Sequence, residues 1–260
     1  MSNLTDFELD HLDSIGLTEL NEAAALQTRV DRKYVLGQHD AELVLDSLSS
    51  ALAGGVAPRV LEIEGARGSS YESVYFDTPD LLSYRMAAHA RRRRFKLRTR
   101  SYLDSEQSFL EMKTRGSRST TVKDRLEYDF ASSDILTRDG REYADAALHA
   151  LGLTEPRRLH LAPTLVTRYV RTTLFLGGSC SRATIDTDLR WKSSDGAELN
   201  RPGLVIMETK SGSRTSEADR VLWAHGHRPT TISKFGTGLA ALRPDLPSNK
   251  WARVLRRHFV

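Results

Sequence analysis

Arg94, Lys96, Arg98 and Arg100 stand two residues apart, and the same spacing separates Glu111, Lys113 and Arg115, Lys123 and Arg125, and Glu208 and Lys210. In a strand, where side chains alternate between faces, each of these sets falls on one side of the backbone. A row of cations at that spacing suits a chain of oxyanions. Arg forms paired hydrogen bonds to phosphate oxygens, and Lys supplies a compact charge. The carboxylates within the rows add a second chemistry. Glu208 above all, with Glu111, Glu127 and Asp186, can bind Mg²⁺ or Mn²⁺ through oxygen and bridge it to phosphates, or can form a salt bridge to a neighbouring Arg.

The residues between the charges show which elements must position them. Phe95, Leu97 and Thr99 alternate with the first cations, Leu110 and Met112 with the second set, Val122, Leu126 and Tyr128 with the third. A helical period would scatter the charges around an axis, so the spacing predicts strands. Strands are expected over 29–36, 59–64, 71–76, 91–102, 109–115, 119–130, 162–176, 180–191 and 203–210. Helices are expected over 40–53, ending at Gly54-Gly55, and over 138–151 and 216–225, with a short one opened by Asp77-Thr-Pro-Asp80. About eight long strands joined by short turns or single helices suggest a mainly β (α+β) fold, a closed antiparallel β-barrel tunnel with the helices packed outside. The helices need apolar faces to dock on, so the charged faces are expected to point inward. Unpaired buried ions cost several kcal/mol each, so such an interior must be wet and filled by a polyanion.

Bulk properties narrow the class. The 260 residues carry 38 Lys and Arg against 34 Asp and Glu, a net charge of +4. A sequence-nonspecific nucleic-acid binder would carry a larger excess and exposed aromatics, so nucleic acid is not an expected partner. The lone cysteine, Cys180, excludes an internal disulfide framework and is expected to be a small buried or half-buried residue rather than a nucleophile. The acidic N-terminus lacks the features of a signal peptide, and no apolar run reaches the roughly 20 residues of a membrane span. A cytoplasmic protein is the expectation. With no repeat and no linker-like stretch, residues 1–260 read as a single domain, with an N-terminal helical segment over 1–26 and a basic C-terminal helix over 243–260. That tail reads as a solvated face or an anion-facing surface. His89, His160, His225 and His227 read as packing or surface residues. The sequence is silent on oligomeric state.

The ordered elements Arg29-x-Asp-x-Lys33-Tyr34, Tyr75-Phe-Asp-Thr78, Lys96-x-Arg98-x-Arg100-x-Tyr102, Glu111-x-Lys113, Lys123-x-Arg125, Tyr169-x-Arg171, Arg182-x-x-Ile-Asp-Thr187, Glu208-x-Lys210 and Ser233-Lys-Phe235 together resemble the VTC domain of polyphosphate polymerases, of the bacterial stand-alone type. That domain belongs to the CYTH-like, or triphosphate tunnel, superfamily. The resemblance runs from about residue 25 to 242. It implies a closed tunnel fold, transfer of the γ-phosphate of ATP to a growing polyphosphate chain, and dependence on Mn²⁺ or Mg²⁺, with ATP and polyphosphate as partners. It implies catalytic roles for Arg98, Arg100, Lys113 and Glu208, with Glu208 holding the metal. Phosphate or nucleotide binding would fall to Arg29, Lys33, Lys96, Lys123, Arg125, Tyr169, Arg171, Arg182, Lys210 and Lys234. One departure is Thr231, where the eukaryotic pattern has a further lysine; the eukaryotic phosphate-sensing and membrane segments also have no counterpart in these residues. Two other functions stay open: hydrolysis of inorganic or nucleoside triphosphates, and non-catalytic phosphate sensing. Hydrolases of the superfamily usually begin with alternating glutamates, where this chain has Arg29-x-Asp31-x-Lys33.

Overall fold

The computed structural model describes residues 9–24, 30–50, 56–115, 121–153 and 155–259. Arg29, the Gly54-Gly55 stop and the outermost part of the expected N-terminal helical segment lie outside them. The strands are β1 (Ser14–Ile15), β2 (Val30–Gly37), β3 (Arg59–Leu61), β4 (Ser69–Asp77), β5 (Phe95–Tyr102), β6 (Gln107–Arg115), β7 (Thr121–Tyr128), β8 (Ala162–Leu176), β9 (Ser181–Ser193), β10 (Glu198–Arg201) and β11 (Leu204–Ser211). The helices are α1 (Leu17–Ala23), α2 (Gln38–Ser50), α3 (Leu82–Ala88), α4 (Arg138–Ala150), α5 (Glu217–Ala224), α6 (Lys234–Leu242) and α7 (Ala252–His258).

The expected closed barrel does not form. Strands pair in the order β2-β11-β9-β8-β4-β5-β6-β7, and among the described residues nothing pairs the two ends of that path. Period-two patterning fixes which face a side chain takes but says nothing about which edge finds a neighbour. β7 is blunted as an edge by its exposed Lys123, Asp124 and Arg125. β11 pairs antiparallel with β2 and β9, β3 with β8, and β4, β5, β6 and β7 with one another in succession, whereas β1 and β3 run parallel through Ser14–Val60 and Ile15–Leu61. β3 is also shorter than expected, because Glu64 and Gly65 both take positive φ and turn the chain.

The chain divides into two compact units. The first holds residues up to Ser69, Tyr169–Leu189 and Arg201–Ile232; the second holds Ser70–Arg168, Arg190–Asn200 and Ser233 onward. In the first, Tyr34, Leu36, Leu174, Leu176, Ala183, Ile185, Val205 and Met207 form an apolar sheet face covered by Val44, Leu45 and Leu48 of α2 and Leu222 of α5. Each of these large side chains contributes roughly 1.5–3 kcal/mol by leaving water. Beneath α5 lies a polar exception: Asp219 accepts bonds from the Tyr34 and Thr209 hydroxyls (2.7 and 2.6 Å), from Ser216 N and Oγ (both 2.9 Å) and from Arg32 (3.2 Å). Ser216 and Asp219 form a reciprocal capping box at the start of α5.

In the second unit, Val74, Phe76, Phe95, Leu97, Leu110 and Met112 are the apolar face, packed by Ala144 and Leu148 of α4 and by Leu82 and Met86 of α3. The Tyr75-Phe-Asp-Thr78 element is explained here. Asp77 ends β4 and accepts the backbone N–H groups of Thr78, Ser83 and Tyr84 (2.8, 2.8 and 2.9 Å), fastening α3 to the strand. Burial nevertheless pushes its carboxyl up to about 6. In α6, Ser233 caps the helix by accepting from Gly236 N. A Cβ at Gly238 would strike the indole of Trp191, and one at Gly236 that of Trp251, so both positions need glycine for close approach.

Candidate functional site

The charged residues lie on the opposite sheet faces, and the pairing register arranges them in rows. In the second unit one row reads Tyr75, Arg98, Glu111, Arg125 across β4 to β7. The next reads Ser73, Arg100, Phe109, Glu127, and a third reads Lys96, Lys113, Lys123 across β5 to β7. Like charges directly opposite one another are destabilising on a bare sheet, so three lysines in one row need negative charge beside them.

Glu111 supplies part of it. Its Oε2 accepts from Arg98 Nε and Nη2 (2.9 and 2.7 Å) and lies 3.8 Å from Arg100 Nε, while its Oε1 is 2.8 Å from Lys123 Nζ. Burial opposes ionisation, but Arg98 and Lys123 outweigh it and hold the carboxyl below the usual range. Arg98 also donates to the Tyr75 hydroxyl (3.1 Å), and Tyr75 stacks on Phe235 at 5.0 Å. Lys96 donates to Ser233 Oγ (2.9 Å) and sits 5.8 and 5.7 Å from the Tyr75 and Phe235 ring centres. Arg125 lies 4.7 Å over the Phe109 ring and Arg100 5.9 Å over Tyr71. Lys113 and Glu127 are exposed, and Lys234 is the first residue of α6, its carbonyl accepting from Trp191 Nε1 (2.9 Å).

The first unit repeats the motif around a different carboxylate. Lys33, Glu208 and Thr184 lie opposite one another on β2, β11 and β9, and Asp31, Lys210 and Arg182 form the adjoining row. Glu208 is 3.5 Å from Lys33 Nζ. Burial resists its charge, but Lys33, Lys210 and Arg171 prevail and hold the carboxyl down at about 2. Arg171 makes a two-pronged pair with Asp186 (2.6 and 2.8 Å) and stacks over Tyr169 at 5.3 Å. Arg182 donates to Asn21 Oδ1 and to the Ala24 carbonyl (3.3 and 2.9 Å), tying α1 to this face.

Thus Lys96, Arg98, Arg100, Glu111, Lys113, Lys123 and Arg125 gather in one unit, and Lys33, Tyr169, Arg171, Arg182, Asp186, Glu208 and Lys210 in the other. Sequence reasoning missed the hydroxyls. Ser73 Oγ, opposite Arg100, and Thr184 Oγ1, opposite Glu208, are buried without a hydrogen-bond partner among the described residues. An unsatisfied buried hydroxyl costs roughly 1–3 kcal/mol. The signal was available in the alternation of β9, where Thr184 shares a face with Arg182 and Asp186. Cys180 differs from expectation: it is exposed, in the left-handed turn between β8 and β9.

Sheet faces that bear cations in register about buried carboxylates, and that are backed by helices, present an array chemically suited to oxyanions. The chain belongs to the VTC domain family, whose model matches residues 28–243. Similar solved structures include the Hippeastrum protein HpAC1, for which a dominant triphosphatase activity is described, at TM-score 0.49 and 16% identity, covering 86% of this chain and 100% of that one. A conserved hypothetical protein from Pyrococcus furiosus gives TM-score 0.38 and 16% identity, with 76% and 87% covered. No curated protein matches. Among the described residues no helix is long and apolar enough to cross a membrane.

Proposed function

We propose that the chain is an ATP-dependent polyphosphate polymerase, moving the γ-phosphate of ATP onto the end of a polyphosphate chain. The observation that supports this is the in-register array of Arg98, Arg100, Lys96, Lys113 and Lys123 about Glu111, in a member of the VTC domain family. Phosphoryl transfer asks the protein mainly to align its reactants and to stabilise spread negative charge. Arg98 and Arg100 would hold phosphate oxygens by paired donors, with Lys113 adding a point charge. Lys33, Arg171, Arg182, Lys210 and Lys234 would extend phosphate binding. The attacking group is an ionised phosphate, so no general base is required.

Glu208 and Asp186 face the same way on neighbouring strands, and among the described residues no group of three or more His, Cys, Asp or Glu gathers. So sparse a donor set fits Mg²⁺ or Mn²⁺, which take most of their ligands from phosphate oxygens and water. Glu208 would hold the ion. A divalent ion held there would supply positive charge against the negative charge of the phosphates.

Triphosphate hydrolysis would use the same cations, so the products decide. Purified protein given ATP and Mn²⁺ is expected to make polyphosphate ladders on a gel, and Glu208→Gln to lower turnover at least about 100-fold while still binding polyphosphate. Orthophosphate as the sole product would overturn the polymerase reading in favour of hydrolysis. Binding without turnover in the wild type would mark a sensor.

A further inference from the structure

Tyr102 closes the Lys96-x-Arg98-x-Arg100-x-Tyr102 element, yet phosphate binding gives it no part. At this end of β5 the charged face changes character: one step beyond Arg100, on the same side of the strand, the cations give way to rings. Tyr102 lies opposite Tyr71 of β4 with ring centres 4.8 Å apart, and Phe109 of β6 meets Tyr102 edge-on at 6.1 Å. All three are half-buried, and none belongs to the apolar core on the other face of the sheet. The patch and its neighbours all lie in the second unit.

The charge changes sign at the same place. Glu127 lies opposite Phe109, and the turn after Tyr102 carries Asp104 and Glu106, all exposed. A polyanion running past Arg100 would be repelled there, whereas an uncharged ring bearing amino donors would not. The row between the rings and the cations holds two orphan groups. Ser73, only 1% exposed, lies opposite Arg100, and neither Ser73 Oγ nor Arg100 Nε has a hydrogen-bond partner among the described residues. Buried donors left without an acceptor are costly, and a phosphate oxygen at this row would accept from both. Same-face residues recur about every 7 Å along a strand, so a ring resting on Tyr102 is separated from that phosphate by a gap that a sugar fills. An open cavity of about 430 Å³ borders Phe109 and Glu127 and leaves room for it.

We propose that Tyr71, Tyr102 and Phe109 form the base subsite of a nucleoside triphosphate, stacking a purine while Ser73 and Arg100 hold the phosphate nearest the sugar. The patch thereby selects nucleotides over inorganic triphosphate. The inference rests on the reading that the chain takes ATP, but its test is binding and needs no turnover. Affinities for the β,γ-imido analogue of ATP and for tripolyphosphate would be measured by calorimetry in buffer containing Mg²⁺. Tyr102→Leu is expected to weaken analogue binding about tenfold, the loss of one base–aromatic stack, and to leave tripolyphosphate binding unchanged. Tyr102→Phe should retain wild-type affinity for both. Wild-type protein should quench the fluorescence of 2-aminopurine riboside triphosphate, and Tyr102→Leu should quench it less. Unchanged tripolyphosphate binding also reports that the variant folds; if Tyr102→Leu does not fold, Phe109→Leu on the neighbouring strand carries the same expectation. Equal losses for both ligands, no loss for the analogue, or no quenching by the wild type would overturn the subsite. Nucleotide preference and quenching in a protein that makes no polyphosphate would uphold the subsite and reject the polymerase reading alone. Polyphosphate synthesis unaffected by Tyr102→Leu, with no quenching, would do the reverse.

Discussion

Glu111 is shared by three cations, Arg98, Arg100 and Lys123, with a side chain only 6% exposed. Removing its charge leaves three cations facing one another in a half-buried setting, where losing one partner of an ion pair costs roughly 3–5 kcal/mol. Glu111→Gln is therefore expected to lower the melting temperature markedly in plain buffer, and tripolyphosphate should restore part of the loss by supplying the missing negative charge. A calorimetric deficit of the same size with and without the anion would show that Glu111 acts only through packing. Asp186, gripped by Arg171, has a similarly closed partnership, whereas Glu208 keeps a longer contact to Lys33.

At the scale of elements, Asp219 clamps β2, β11 and α5 through Tyr34, Thr209 and Ser216. Although burial resists its charge, the Thr209, Tyr34 and Ser216 bonds hold its carboxyl below the usual value. A depressed acid contributes stability that is complete above the unfolded pKa, about 4, and is lost as pH falls through the folded one. Urea titrations should thus show wild-type stability falling below about pH 4, with a shallower acid limb in Asp219→Asn. Parallel acid limbs would exclude Asp219 as a stabilising group. The clamp holds Lys33 and Glu208 in position, because Arg32, Tyr34 and Thr209 alternate with them along the same strands. That alternation explains what was legible. The period of two in β5, β6 and β11 separates charged from apolar faces, and the faces meet helices as expected, because helices must bury an apolar stripe. The Asp219 network was not legible, since it joins residues 185 positions apart. Nor was the open sheet: strand patterning carries no record of whether two edges meet.

For the whole molecule, 38 cations against 34 acids give only +4, so the lysine and arginine rows matter by concentration rather than by excess. A ligand that binds only the folded chain stabilises it by about 2.7 kcal/mol at a hundredfold excess over Kd. Tripolyphosphate should therefore raise the melting temperature, and the gain should shrink as ionic strength rises and screening shortens the reach of each charge. A gain independent of salt would mean that the contacts are not chiefly ionic.

The row Lys96–Lys113–Lys123 and its neighbours have a metric consequence. Adjacent strands sit about 4.8 Å apart, and same-face residues recur about every 7 Å along each strand, so these ammonium and guanidinium groups form a two-dimensional lattice of fixed pitch. A single small ion can satisfy one node at a time. A filamentous solute whose negative charges repeat evenly would meet many nodes at once.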